Sequence, residues 1–149
     1  MIKPKSINLT LGEIKDKAAK YFSTRAQVRF VYLFGSQAKN NTGKLSDIDI
    51  AVYLDEKLND DERFALRLEL INKVCEIAKT DKIDLIILNG SPLLLSFNVV
   101  HDGLILYSRD EIKRVQFETK IMSLYFGQQY YYKRHARITI NRIAMEGIL

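Results

Sequence analysis

Cysteine is nearly absent from this chain. Cys75 stands alone among 149 residues, so no internal disulfide can form and nothing demands an oxidising compartment. It falls in an apolar helical stretch, where a thiol packs as a small hydrophobe. Two prolines and seven glycines leave no Pro/Gly-rich linker, and no internal repeat or low-complexity segment stands out. Long apolar runs are missing too, and the longest fall far short of the ~20 residues a membrane span needs. The opening MIKPKSINLT lacks the apolar run of a signal peptide. A cytoplasmic protein with no membrane association is the expectation.

What remains has the make-up of an ordinary globular protein, 47% hydrophobic and 28% charged. The length suits a single domain over residues 1–149 that buries a core without covalent staples. The net charge is +5. That balance suits polyanionic partners such as nucleotides, nucleic acid or an acidic protein. Because the positive charge is scattered rather than blocked, solubility explains it equally well.

Pattern divides the chain into alternating helices and strands. Thr10 and Glu13 form a capping-box pair ahead of a helix carrying Ile14, Ala18 and Phe22. RFVYLF, residues 29–34, is β-branched and aromatic and predicts a strand that stops at Gly35-Ser36. A short helix or loop fills 37–45. Residues 46–54 alternate strictly, with Asp47, Asp49, Ala51 and Tyr53 on one face and Ile48, Ile50, Val52 and Leu54 on the other. Asn59 caps an amphipathic helix to about Lys79, with Phe64, Leu68, Ile71, Val74, Cys75 and Ala78 on its apolar stripe. KIDLIIL, residues 82–88, predicts a third strand. Ser91 as N-cap and Pro92 at the first helical position open a further helix, and a turn at His101-Asp102-Gly103 leads to a short strand, LILYS. Ser108 and Glu111 form a second capping-box pattern before a long helix that bends or breaks near Gly127 and resumes from Gln129 to about Met145. This order predicts an α/β architecture, a mixed β-sheet flanked by helices. Residues 109–149 form a C-terminal helical extension. The connection over residues 34–46 is near the lower limit for a parallel crossover, which favours the mixed sheet.

Three carboxylates carry the chemistry. Asp47 and Asp49 project from one strand face, and Asp84 interrupts another apolar strand. Charges bordered by Ile, Val and Leu are costly unless paired or bound to metal. Carboxylates converging on one spot repel, and a hard oxygen-seeking cation such as Mg²⁺ resolves the conflict. Just upstream, a strand ending in Gly35-Ser36 exposes backbone N–H groups and a hydroxyl, which suits a phosphate. Each piece alone has a bland reading, a turn or a solvated strand edge. The ordered set is more specific: Gly35-Ser36, a gap of ten residues, Asp47-Ile48-Asp49, then an acid in an apolar strand 35 residues later. It is the equipment of phosphoryl or nucleotidyl transfer. A P-loop is excluded, because seven residues separate Gly35 from Gly43 and Leu45 stands where Ser or Thr is needed. An EF-hand would need more oxygen ligands and a glycine.

The stretch LFGSQAKNNTGKLSDIDIAVYL resembles the signature of the DNA polymerase β-like nucleotidyltransferases. Over nearly its whole length the chain is similar to the minimal nucleotidyltransferases, the MntA-like antitoxins of HEPN/MNT toxin–antitoxin pairs, and the tail FETKIMSLYFGQQYYYKRH is similar as well. The resemblance implies an enzyme of that fold, using two Mg²⁺ ions and ATP as substrate. Asp47 and Asp49 would bind both ions. Asp84 would bind the catalytic one and help deprotonate the acceptor hydroxyl. Gly35 and Ser36 would hold the β- and γ-phosphates. The acceptor would be a tyrosine of a cognate HEPN ribonuclease toxin, silenced by AMP. Alternatives are an antitoxin that neutralises by binding alone, or a transferase acting on a small molecule, though no room remains for a second domain to hold such an acceptor.

Other residues have plainer readings. His101 reads as a structural turn residue and His135 as a solvated helix position. Neither has the Arg-x4–6-His spacing of a HEPN toxin. Tyr130, Tyr131, Tyr132, Lys133, Arg134 and Arg137 form a basic aromatic cluster. It suits partner docking, a helix face packed on the domain, or base stacking, with nucleic acid not expected as the main partner.

Overall fold

Two strands rich in β-branched and aromatic residues form the centre of the molecule. β1 (Val28–Phe34) pairs antiparallel with β2 (Ile48–Leu54), placing Val28 opposite Leu54 and Phe34 opposite Asp49. β3 (Ile83–Ile87) joins β2 in parallel and β4 (Leu104–Ser108) joins β1 antiparallel. The order is β3-β2-β1-β4, a mixed sheet as the sequence predicts. The computed structural model describes residues 11–35 and 47–146. Both the Thr10 half of the first capping box and the segment 37–45 lie outside them, and the second strand is described from Ile48.

Four helices complete the fold among the described residues: α1 (Leu11–Ser23), α2 (Asp60–Ala78), α3 (Leu93–Asp102) and α4 (Glu111–Glu146). The two-residue period of the strands divides the core in two. On one side Val31, Leu33, Ile50, Val52, Leu54 and Leu85 pack against Ala18 and Phe22 of α1 and the buried stripe of α2. On the other, Phe30, Tyr32, Ala51, Tyr53 and Leu88 pack with Val99 of α3 and Phe117 of α4. Asn89 ties the end of β3 to β2, its amide donating to the Leu54 carbonyl and accepting from the Leu54 N–H, both at 2.8 Å.

The α2 start is as expected. Asn59 Oδ1 accepts from the Glu62 N–H and Glu62 reaches back to the Asn59 N–H, a complete capping box. The stripe differs at its N-terminal half. Leu66 and Leu70 are buried there, while Phe64 is 60% and Leu68 45% exposed. Two apolar sets coexist, about 200° apart at 3.6 residues per turn, and only the one continuous with Val74 and Ala78 meets the sheet.

Two helix starts and one continuous helix correct the sequence reading. Pro92, not Ser91, occupies the α3 N-cap position, and Leu93 opens the helix. The Ser91 hydroxyl instead donates to the Leu88 carbonyl and lies 2.6 Å from Ser96 Oγ. At α4 the cap is Asp110, whose Oδ1 accepts from the Lys113 N–H at 3.0 Å, rather than Ser108. α4 then runs unbroken through Gly127 for 36 residues. A helical glycine costs about 1 kcal/mol against alanine, too little to end a helix held along one side. That hold comes from the Tyr32 hydroxyl donating to Glu118 and from Tyr125 stacked 3.6 Å from Phe97. No helix among the described residues is long and apolar enough to cross a membrane.

Candidate active site

Asp49 and Asp84 are each the second residue of their strand, and the parallel register of β2 and β3 sets them directly side by side. Residues paired in this way project to the same face, from strands about 4.8 Å apart. Ala51 and Ile86, the next pair along that face, lie in or against the core. The face therefore passes from apolar to acidic at one end of the sheet. Asp47, one step outside β2 and of the same parity as Asp49, is exposed, as is Asp84, while Asp49 is half-buried.

Gly35 follows the last residue of β1 and adopts a φ of +73°, a region that side chains other than glycine's rarely enter. A Cβ built on it would overlap Asp49 Oδ2. The turn therefore brings bare backbone against the carboxylate, and only glycine allows it.

The charges interact. Burial holds the Asp49 carboxyl above the ordinary carboxylate range, and the negative charges of Asp84 and then Asp47 push it the same way. Among the described residues, no three His, Cys, Asp or Glu side chains stand close enough together to form a ready metal cage. The donor chemistry nevertheless fits a hard divalent cation. All the groups are carboxylate oxygens, and the one facing Gly35 carries an ionisation penalty that a cation would relieve. Ser36 lies outside the described residues, so Gly35 alone represents the expected phosphate turn.

His101 sits in the last turn of α3, not in the turn itself. It lies 5.3 Å ring to ring from Phe97 and 2.8 Å from Asp102, and Gly103 makes the exit from the helix. His135 is exposed on α4, as expected. Tyr130, Tyr131, Tyr132, Lys133, Arg134 and Arg137 are all exposed, which removes the reading of a helix face packed on the domain. Sequence reasoning did not single out a second group, Arg63, Lys113 and Lys120, which line a cleft with Asn89 at the other end of the sheet. They come from separate segments, so no local spacing marks them.

A mixed sheet carrying paired acids beside a glycine turn, with helices on both faces, has the form of a nucleotidyltransferase. Residues 16–112 match the family described as Polymerase beta, Nucleotidyltransferase, and the chain belongs to that family. It is an enzyme of the polymerase β-like fold, with a long C-terminal helix. Its similarity to the protein adenylyltransferase MntA of Aphanizomenon flos-aquae (strain 2012/KM1/D3) is 25% identity over 124 residues, 76% of this chain and 79% of that one. Among solved structures, a toxin–antitoxin crystal structure with AMP-PNP superposes with a TM-score of 0.64 at 28% identity, covering 83% of this chain and 94% of the other. The tri-AMPylated Shewanella oneidensis HEPN toxin in complex with MNT antitoxin gives 0.59 at 27%, covering 84% and 92%.

Proposed function

We propose that this protein is an antitoxin that transfers AMP from ATP to a tyrosine of a cognate HEPN ribonuclease toxin and silences it in the cytoplasm. The observation that carries the reading is the Asp49–Asp84 pairing across β2 and β3, beside a turn that only Gly35 permits. Similarity to a protein adenylyltransferase and to HEPN toxin complexes supports the acceptor class.

The roles are those that the family resemblance implies. Asp47 and Asp49 would hold two Mg²⁺ ions, with Asp84 completing the set around one of them. Bound Mg²⁺ neutralises phosphate charge and steadies the departing pyrophosphate. The Gly35 backbone and the Ser36 hydroxyl hold the β- and γ-phosphates. Asp84 takes the proton of the acceptor tyrosine as its oxygen bonds to the α-phosphorus. The bond from that phosphorus to the bridging oxygen of the β-phosphate breaks, and pyrophosphate leaves. Residues 1–149 act as one domain, with 109–149 an extension that presents Tyr130, Tyr131, Tyr132, Arg134 and Arg137 to the toxin. Tyr and Arg are favoured anchors at such contacts.

One observation favours a second reading, neutralisation by binding alone. The distal half of α4 exposes Tyr130 (67%), Ile140 (64%) and Met145 (88%), more apolar surface than a brief encounter needs. Incubation with ATP labelled at the α-phosphate, Mg²⁺ and the candidate toxin separates the two. Label on a toxin tyrosine, lost with Asp47→Ala/Asp49→Ala, supports transfer. Unlabelled toxin that is nevertheless inactive supports binding alone.

A further inference from the structure

The end of the sheet away from Asp49 and Asp84 opens into a cleft of about 630 Å³ between α2, α3 and α4. That volume is in the range of small-molecule sites. Tyr53, near the end of β2, and Leu88 and Asn89, just past β3, form its floor. Asp49 and Tyr53 are four residues apart on one strand, roughly 13 Å at the usual strand rise. The cleft therefore lies on the same face of the sheet as the acids, at its opposite end.

Its charge is one-sided. Arg63 of α2 and Lys113 and Lys120 of α4 line it against a single carboxylate, Glu56. That carboxylate is already engaged: it pairs with Lys113 and accepts from the Tyr53 hydroxyl at 2.6 Å. Those two contacts, Lys113 first, hold its carboxyl below the usual range and keep it ionised. Three cations facing one anion leave an excess of two positive charges. The Arg63 Nε atom, like that of Arg25, is buried without a hydrogen-bond partner among the described residues. α3 also opens onto the cleft at Leu93, and Pro92 gives its first turn no side-chain cap. Leu88, Phe117, Ile121 and Leu124 line it as well, the last three on the α4 face that carries Lys113 and Lys120.

We propose that this cleft is a second binding site, for a small phosphomonoester carrying an apolar or aromatic body. The excess of two positive charges matches a dianion, and the Arg63 guanidinium that lines the cleft and the uncapped first turn of α3 supply donors suited to phosphate oxygens. The apolar wall receives the body of the ligand. The site joins α2 and α3 to α4 and does not depend on the antitoxin reading.

The test is an amide NMR titration of the full chain with phenyl phosphate, free of metal and nucleotide. Saturable shifts are expected across residues 89–96 and 113–124, with none at Gly35, Asp49 or Asp84. Arg63→Ala should weaken binding about tenfold or more, the scale of one charged hydrogen bond. Lys120→Glu alters an exposed side chain and should weaken it equally while leaving the spectrum of the free protein dispersed. Absence of saturation, shifts centred on Asp49, or unchanged affinity in Lys120→Glu would each overturn the site. Benzoate binding as tightly as phenyl phosphate would overturn the dianion, and inorganic phosphate doing so would overturn the apolar body.

Discussion

Gly35 holds a φ of +73° with its α-carbon against the Asp49 carboxylate. Gly35→Ala therefore meets two obstacles, a left-handed backbone costing roughly 1–2 kcal/mol and a methyl group where Oδ2 now lies. We expect a matching loss in urea unfolding and a fall in AMP transfer of about a hundredfold, the usual effect of displacing a reacting group by an ångström. Wild-type rates in this variant would detach the turn from the chemistry. Asp49 makes a different prediction. Its carboxyl is raised in the folded chain, so folding favours the protonated form. The ionised form costs stability near neutral pH, and that cost fades as pH falls through the folded value to below the ordinary carboxylate range. In metal-free buffer Asp49→Asn should melt a few degrees higher than wild type near neutrality and no higher in acid, while losing transfer. A lower melting temperature at neutral pH would mean that the carboxylate anchors the fold. At this scale the sequence was readable where chemistry is local. Asp47-Ile48-Asp49 places two acids on one face by the strand period alone, and Asp84 stands out as a charge in KIDLIIL. The register that sets Asp84 beside Asp49 was not readable, because it is made across the whole of α2.

Elements were legible where their signals are short-range. Asn59 and Glu62 announce the α2 start, and both arms of the box are present. Every strand expected between Val28 and Ser108 is found within a residue or two of its place. What failed depended on what packs where. Phe64 and Leu68 satisfied the helical period, but the sheet takes the competing set. Gly127 looked like a break because propensity is local, whereas Tyr32 and Phe97 hold α4 from outside it, through Glu118 and Tyr125. Gly127→Ala tests that continuity. A Cβ there meets nothing, so the variant should stabilise the protein by up to about 1 kcal/mol and raise helical circular dichroism. Destabilisation would mean that the helix needs a hinge at this point.

For the whole molecule, the acidic end of the sheet, the basic cleft and the exposed distal half of α4 occupy three different parts of one small fold. Overall charge and composition spoke only of a polyanion-tolerant globular protein. The proposed partner surface is the cluster YYYKRHAR, residues 130–137, whose aromatic and basic side chains stay exposed among the described residues. If transfer is the mechanism, one copy of this protein should silence many copies of toxin, since an aryl phosphodiester outlasts the encounter that makes it. The most direct measurement mixes purified HEPN toxin in large molar excess with this protein, ATP and Mg²⁺, and follows toxin mass and ribonuclease activity together. We predict multiple turnovers, each adding AMP to a toxin tyrosine, with ribonuclease activity falling in step, and neither change with the Asp47→Ala/Asp49→Ala variant or without ATP. Neutralisation that stops at one toxin per antitoxin, with toxin mass unchanged and the double variant as effective as wild type, would contradict the account.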